Sequence, residues 1–164
     1  MLRLICASVI LLVCAAFGAV RAESLRLRLG TADMLLSDLN SIFSSLKYEK
    51  RTAIQLAEGL ANTGKLREFW KKLAASMTKG RSFGAAWEEN CGMLTLDRQE
   101  AETALAFAKD FGGDSVETEL SKLALALSRL DESVKNKKRD YPNKQKLAGT
   151  LSVLLGVAAA LLVL

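Results

Sequence analysis

Not one histidine occurs among the 164 residues, and two of the three cysteines, Cys6 and Cys14, lie in an apolar run at the amino end. Cys91 is left alone in the middle of the chain. Without an imidazole, the usual base for a cysteine or serine nucleophile is missing, and so is the commonest neutral metal ligand. Cys91 therefore reads as a small core residue with an inert thiol. Carboxylates are the remaining candidates for acid–base work. Glu88 adjoins Glu89, and Glu102 follows Glu100 by two positions. Neighbours one or two apart on a helix point in different directions, so neither pair converges on a substrate. No phosphate loop, dinucleotide fingerprint or CxxC is present. The sequence assigns no catalytic residue, no metal ligand and no cofactor, and it predicts a protein that is not an enzyme.

Charge is the informative chemistry. Residues 47–81 carry nine basic and three acidic side chains, whereas residues 88–119 carry nine acidic and two basic ones. Such poles pair internally or dock a partner of opposite charge. The acidic pole, represented by Glu88, Glu89, Glu100, Glu102 and Glu119, is the candidate docking surface for a basic partner. A third cluster, Lys135, Lys137, Lys138, Arg139, Lys144 and Lys146 with only Asp140 against it, accounts for the whole formal net charge of +5. It has no interleaved aromatics for base stacking, which argues against nucleic acid.

That cluster abuts a charge-free apolar run, residues 147–164, about 27 Å long as a helix against a bilayer core of about 30 Å. A second apolar run covers residues 4–20. It exceeds the ordinary signal-peptide core of about 7 to 15 residues, which favours a retained anchor over a leader cut before Glu23. The expected organisation is an N-terminal transmembrane segment at 1–22, a domain at 23–141 and a C-terminal transmembrane segment at 142–164. Arg21, Arg26 and Arg28 join the six-residue flank on the domain side, so the positive-inside rule places the domain in the cytoplasm of a two-pass cell-membrane protein. The rival reading is a secreted surface protein with a cleaved leader and a C-terminal anchor, and the unpaired Cys91 speaks against it.

Elements that would position these residues are all helical. Leu25, Leu29, Ala32, Leu36, Leu39, Phe43 and Leu46 recur at alternating steps of four and three, as do Val116, Leu120, Leu123, Leu127, Leu130 and Val134. Joined to anchors at one membrane face, the two seams should pack antiparallel. Between them, amphipathic pieces fall at 52–62, 65–78, 83–91 and 101–111. Gly64, Gly80 and Gly112-Gly113 stop them, Ser82 is an N-cap, and Asp97 with Glu100 and Asp114 with Glu117 have capping-box spacing. Pro142 should break or kink the last helix. The predicted fold is all-α, a bundle of about six helices between two terminal transmembrane helices.

The order of these parts resembles the stage III sporulation protein AB family. The resemblance is carried by residues 39–48 and 57–60, by Ala86-Trp87-Glu88, by residues 107–114 (FAKDFGGD) and by residues 120–130, between two terminal apolar runs. Arg51-Thr52-Ala53 lacks a proline expected after Tyr48, and Glu117 and Glu119 stand where a glutamine is expected. The resemblance implies a fold similar to the cytoplasmic domains of platform proteins of type II secretion and type IV pilus machines. It also implies a non-enzymatic scaffold in the mother-cell membrane around the forespore, within a channel-like complex. Its partners would be other subunits of that complex, including a cytosolic ATPase. The apolar ends add the bilayer as an expected partner, and a homo-oligomer of the chain is a further expectation.

Overall fold

The computed structural model describes the backbone of residues 2–49 and 51–163, and the side chains of residues 23–49 and 51–142 with a few beyond. Its helices are α1 (Leu2–Glu49), α2 (Ala53–Thr63), α3 (Arg67–Thr78), α4 (Phe83–Asn90), α5 (Arg98–Asp110) and α6 (Val116–Val163), with one 3-10 turn at Cys91–Met93. No strand occurs among the described residues. Six helices fit the expected number, but the apolar ends are continuous with the first and last of them. Among the described residues no helix is long and apolar enough to cross a membrane. Most side chains of the two expected spans lie outside the described residues, as do those of Cys6, Cys14, Lys144 and Lys146.

The chain divides into two compact units, Arg28–Lys135 and the pair Met1–Leu27 with Asn136–Leu164. The second of these consists of the outer parts of α1 and α6. Pro142 sits inside α6 without ending it. A proline there removes one ladder donor, and a helix of 48 residues keeps the turns on either side.

In the Arg28–Lys135 unit, α1 buries Ala32, Leu35, Leu39, Ile42 and Leu46, with Leu36 and Phe43 half-buried beside them. This corrects the expected seam by one position at two places. A two-in-seven seam suits a helix with a single neighbour. The helix α1 serves several, so its apolar stripe widens to three in seven and its deepest line runs through Leu35 and Ile42. On α6, Leu123, Ala126, Leu127, Leu130 and Val134 are buried, whereas Val116, the expected start of the seam, is 40% exposed.

The antiparallel relation of α1 and α6 follows from shared partners. At the start of α5, Arg28 Nη1 of α1 donates to Asp97 Oδ1 at 3.0 Å, and Ser133 Oγ of α6 donates to Glu100 Oε1 at 3.0 Å. Farther on, Leu36 and Asn40 line one groove with Leu127, Ser128 and Asp131. Numbers rise along one helix as they fall along the other.

The carboxylate of Asp38, 2% exposed, fastens α1 to the turn between α2 and α3. It accepts from the Lys65 amide (2.8 Å), the Leu66 amide (3.0 Å) and the Trp70 indole nitrogen (2.7 Å). Leu66 is the N-cap of α3 and has no side-chain acceptor of its own, so Asp38 caps that helix from another element. Gly64 permits the approach: a Cβ there would stand 2.6 Å from Leu60 O and 3.1 Å from Asp38 Oδ2. Its φ is −66°, so contact rather than backbone conformation demands the glycine.

From Trp70 a chain of aromatic contacts runs through the core. Trp70 and Phe69 meet Trp87 edge-on at 5.8 and 4.9 Å between ring centres, and Phe83 meets Phe111 at 4.7 Å. Such pairs add about 0.5–1.5 kcal/mol each beyond their burial. The helices α4 and α5 touch backbone to backbone, since a Cβ on Gly84 would lie 2.7 Å from Lys109 Cα.

Two predictions follow from this packing. Leu35→Ala should cost about 2–5 kcal/mol in a denaturant titration of the full chain, and Leu36→Ala distinctly less; equal losses would return the seam to its expected phase. Asp38→Ala should cost about 3 kcal/mol or more, because two amides and an indole lose their acceptor in a buried site. It should also shift tryptophan fluorescence, and an unchanged spectrum and midpoint would remove Asp38 from this role.

Candidate functional site

The exposed arc of α3 is cationic. Its inward face is fixed by Phe69, Trp70, Leu73 and Ala74. At about 100° per residue, that leaves Arg67, Lys71, Ala75, Glu68, Lys79 and Lys72 spread over the opposite arc, all exposed. Lys65 and Arg81 flank its two ends and are exposed as well. Among the described residues none of these six cations enters an ion pair, and no ion pair joins residues 47–81 to residues 88–119. Arg51 pairs with Glu49 inside its own pole.

The acidic pole is smaller than its composition suggests. Glu100 is 1% exposed and Glu119 4% exposed, which removes both from any docking surface. The Asp97 amide donates to Glu100 Oε2 at 3.2 Å, completing the capping box expected there, while Ser133 occupies the other oxygen. Glu119 Oε1 accepts from the Gly112 amide (2.8 Å) and the Asp114 amide (3.2 Å). The second expected capping box is therefore not formed. The helix α6 begins at Val116 with Ser115 before it, and the Thr118 amide points at Ser115 Oγ (3.4 Å). Asp114 instead receives Lys122 Nζ at 2.6 Å. That hydrogen bond, with the field of Asp114, Asp110 and Glu119, raises the Lys122 ammonium above its ordinary range despite an opposing desolvation. A group raised in this way lends stability below its ordinary value and loses it as pH climbs through the raised one.

Of the five acidic candidates, Glu88, Glu89 and Glu102 remain exposed, and Glu102 is engaged by Arg98 at 2.8 Å. Glu88 and Glu89 stand on α4 beside α3, where Asn90 Nδ2 reaches Ser76 Oγ at 3.4 Å. Cys91 is half-buried, with its thiol directed at the Glu88 carbonyl. Among the described residues no three of His, Cys, Asp and Glu are grouped to hold a metal.

In the basic flank, Lys135 pairs with Asp131 and Arg139 Nε lies 3.9 Å from Asp140. Lys138 is exposed and Lys137 half-buried. The capping-box spacing with Asp97 was the sequence signal that Glu100 is engaged in the fold. The signal for Glu119 was the Gly112-Gly113 turn just ahead of it, which leaves amides in need of an acceptor.

Glu100→Gln and Glu119→Gln should each lower the denaturation midpoint by an amount worth about 1–3 kcal/mol. Glu88→Gln and Glu89→Gln should stay within about 0.5 kcal/mol. Equal behaviour of all four would show that burial does not sort them.

Comparison with curated proteins and comparison with solved structures each returned no match. A family model does match, over residues 3–164. By that match the chain belongs to the stage III sporulation protein AB family.

Proposed function

We propose that the chain is a non-enzymatic scaffold subunit of a sporulation assembly, held at a membrane by its two apolar ends and presenting the Arg28–Lys135 unit to partners in the cytoplasm. The family match over residues 3–164 carries this reading. The surface chemistry supports it. The cleft between α1 and α2, lined by Ser41, Ser45, Arg51 and Thr63, holds about 70 Å³, and the groove between α1 and α6 about 290 Å³. The polar groups of the groove between α1 and α6 are Asn40, Ser128 and Asp131, the last already paired with Lys135. What the unit offers partners is the exposed charge of α3 and α4. Any energy the assembly uses comes from a partner, a cytosolic ATPase of the same complex, since the chain has no phosphate loop.

N-terminal sequencing of the membrane fraction tests the anchoring. The expected result is a chain that begins at Met1 or Leu2, and a mature terminus at Glu23 would favour the secreted alternative. Affinity capture of the full chain from sporulating cells tests the assembly. Other membrane proteins of sporulation and the ATPase should co-purify, and capture of the chain alone after crosslinking would refute the scaffold role.

A further inference from the structure

The two charged faces of the unit are complementary to each other and are not joined within one molecule. Arg67, Lys71, Lys72 and Lys79 lie on one arc of α3, a helix about 18 Å long, with Ala75 between them. Glu88 and Glu89 are exposed on α4, which packs beside α3, and among the described residues neither takes part in an ion pair. Neighbouring helices thus carry opposite charges facing solvent, and among the described residues no ion pair spans them. They can neutralise a second copy turned by a two-fold rotation. In that arrangement the cations of one α3 meet Glu88 and Glu89 of the other chain, and the same contact is made again in reverse.

We propose that the α3–α4 face is a self-association surface, on which two copies of this chain pair reciprocally, Lys71 and Lys72 of each against Glu88 and Glu89 of the other. Ala75, the small residue of the arc, lets the facing helices approach closely. A nucleic acid or an anionic bilayer fits the face less well. Glu68 sits within the arc, where it would repel a phosphate, and the arc has no aromatic side chain for a base to stack on. Exposed charge pairs are individually weak. The contact is therefore a salt-sensitive one that gains from confinement of the copies at high local concentration.

The test uses the full chain in a neutral detergent, followed by sedimentation velocity and by a carbodiimide, which joins an amine to a carboxylate only where they touch. The wild type should dimerise at 0.05 M salt and lose at least about tenfold in association constant by 0.5 M, as the Debye length shortens. Amide crosslinks should map to Lys71 or Lys72 with Glu88 or Glu89. The variant K71E/K72E should be monomeric, and so should E88K/E89K. An equimolar mixture of the two should associate again, because reversed charges meet reversed charges and native charges meet native ones at the two halves of the contact. Circular dichroism and melting confirm that each variant is folded, and the mixture keeps the test decisive if either is weakened. Four results would overturn the proposal: a monomeric wild type at low salt, dimers unaffected by both reversals, crosslinks at other positions, or a mixture that stays monomeric. Protection of Lys71 and Lys72 from acetylation only on addition of heparin would likewise overturn it and assign the face to a different polyanion.

Discussion

One buried carboxylate decides how the six helices meet. Asp38 belongs to α1, yet its three hydrogen-bond donors all come from the start of α3. A charged group 2% exposed is costly to desolvate unless its lone pairs are filled and a compensating positive potential is near. Two amides at a helix N-terminus supply both the donors and the positive end of the helix dipole. The dependence runs in two directions. Without α3 the carboxylate would be stranded in the core, and without Asp38 the helix would begin on a leucine with nothing to cap it. Gly64 enters the same arrangement, since any side chain there would push the α2–α3 turn away from the acceptor.

Because Trp70 is one of the three donors, its indole is held in a single orientation, and the aromatic core is registered from there. Trp70 faces Trp87, Phe69 faces Trp87, and Phe83 passes the contact on to Phe107 and Phe111. The helix α5 is held near its end by the close crossing with α4 at Gly84 and at its start by Arg28 and Ser133. The ring series thus runs from the polar anchor on Asp38 to Phe107 and Phe111 in the last turns of α5, whose first turn has its own polar anchors at Asp97 and Glu100. Rings alone tolerate sliding, and these hydrogen bonds remove that freedom.

The helices, their stops and most of their inner faces were legible in the sequence, because hydrophobic spacing and glycine punctuation are local properties. Phe83, Ala86 and Trp87 lie inward as the spacing required, and Asp97 caps α5 as its motif required. What was not legible depends on a second element. Leu36 satisfies a heptad as well as Leu35 does, and only the presence of more than one neighbour moves the buried line to Leu35 and Ile42. Asp38 shares that buried face, in phase with Leu35 and Ile42. A carboxylate in phase with an apolar stripe is the one local hint, and it does not name the amides that fill it.

The same reasoning accounts for the unequal poles. Backbone amides at helix starts need acceptors, and acidic side chains are the residues that satisfy them, so acids near Gly112 and Asp97 are drawn into the fold. Lysine and arginine have no lone pairs to offer an amide. Acidic and basic segments of similar composition therefore present different surfaces. Glu100 and Glu119 disappear into structure, while Lys65, Arg67, Lys71, Lys72, Lys79 and Arg81 all remain in solvent. Like charges gathered on one arc raise its potential at low ionic strength, and opposite charge supplied from outside the molecule relieves it.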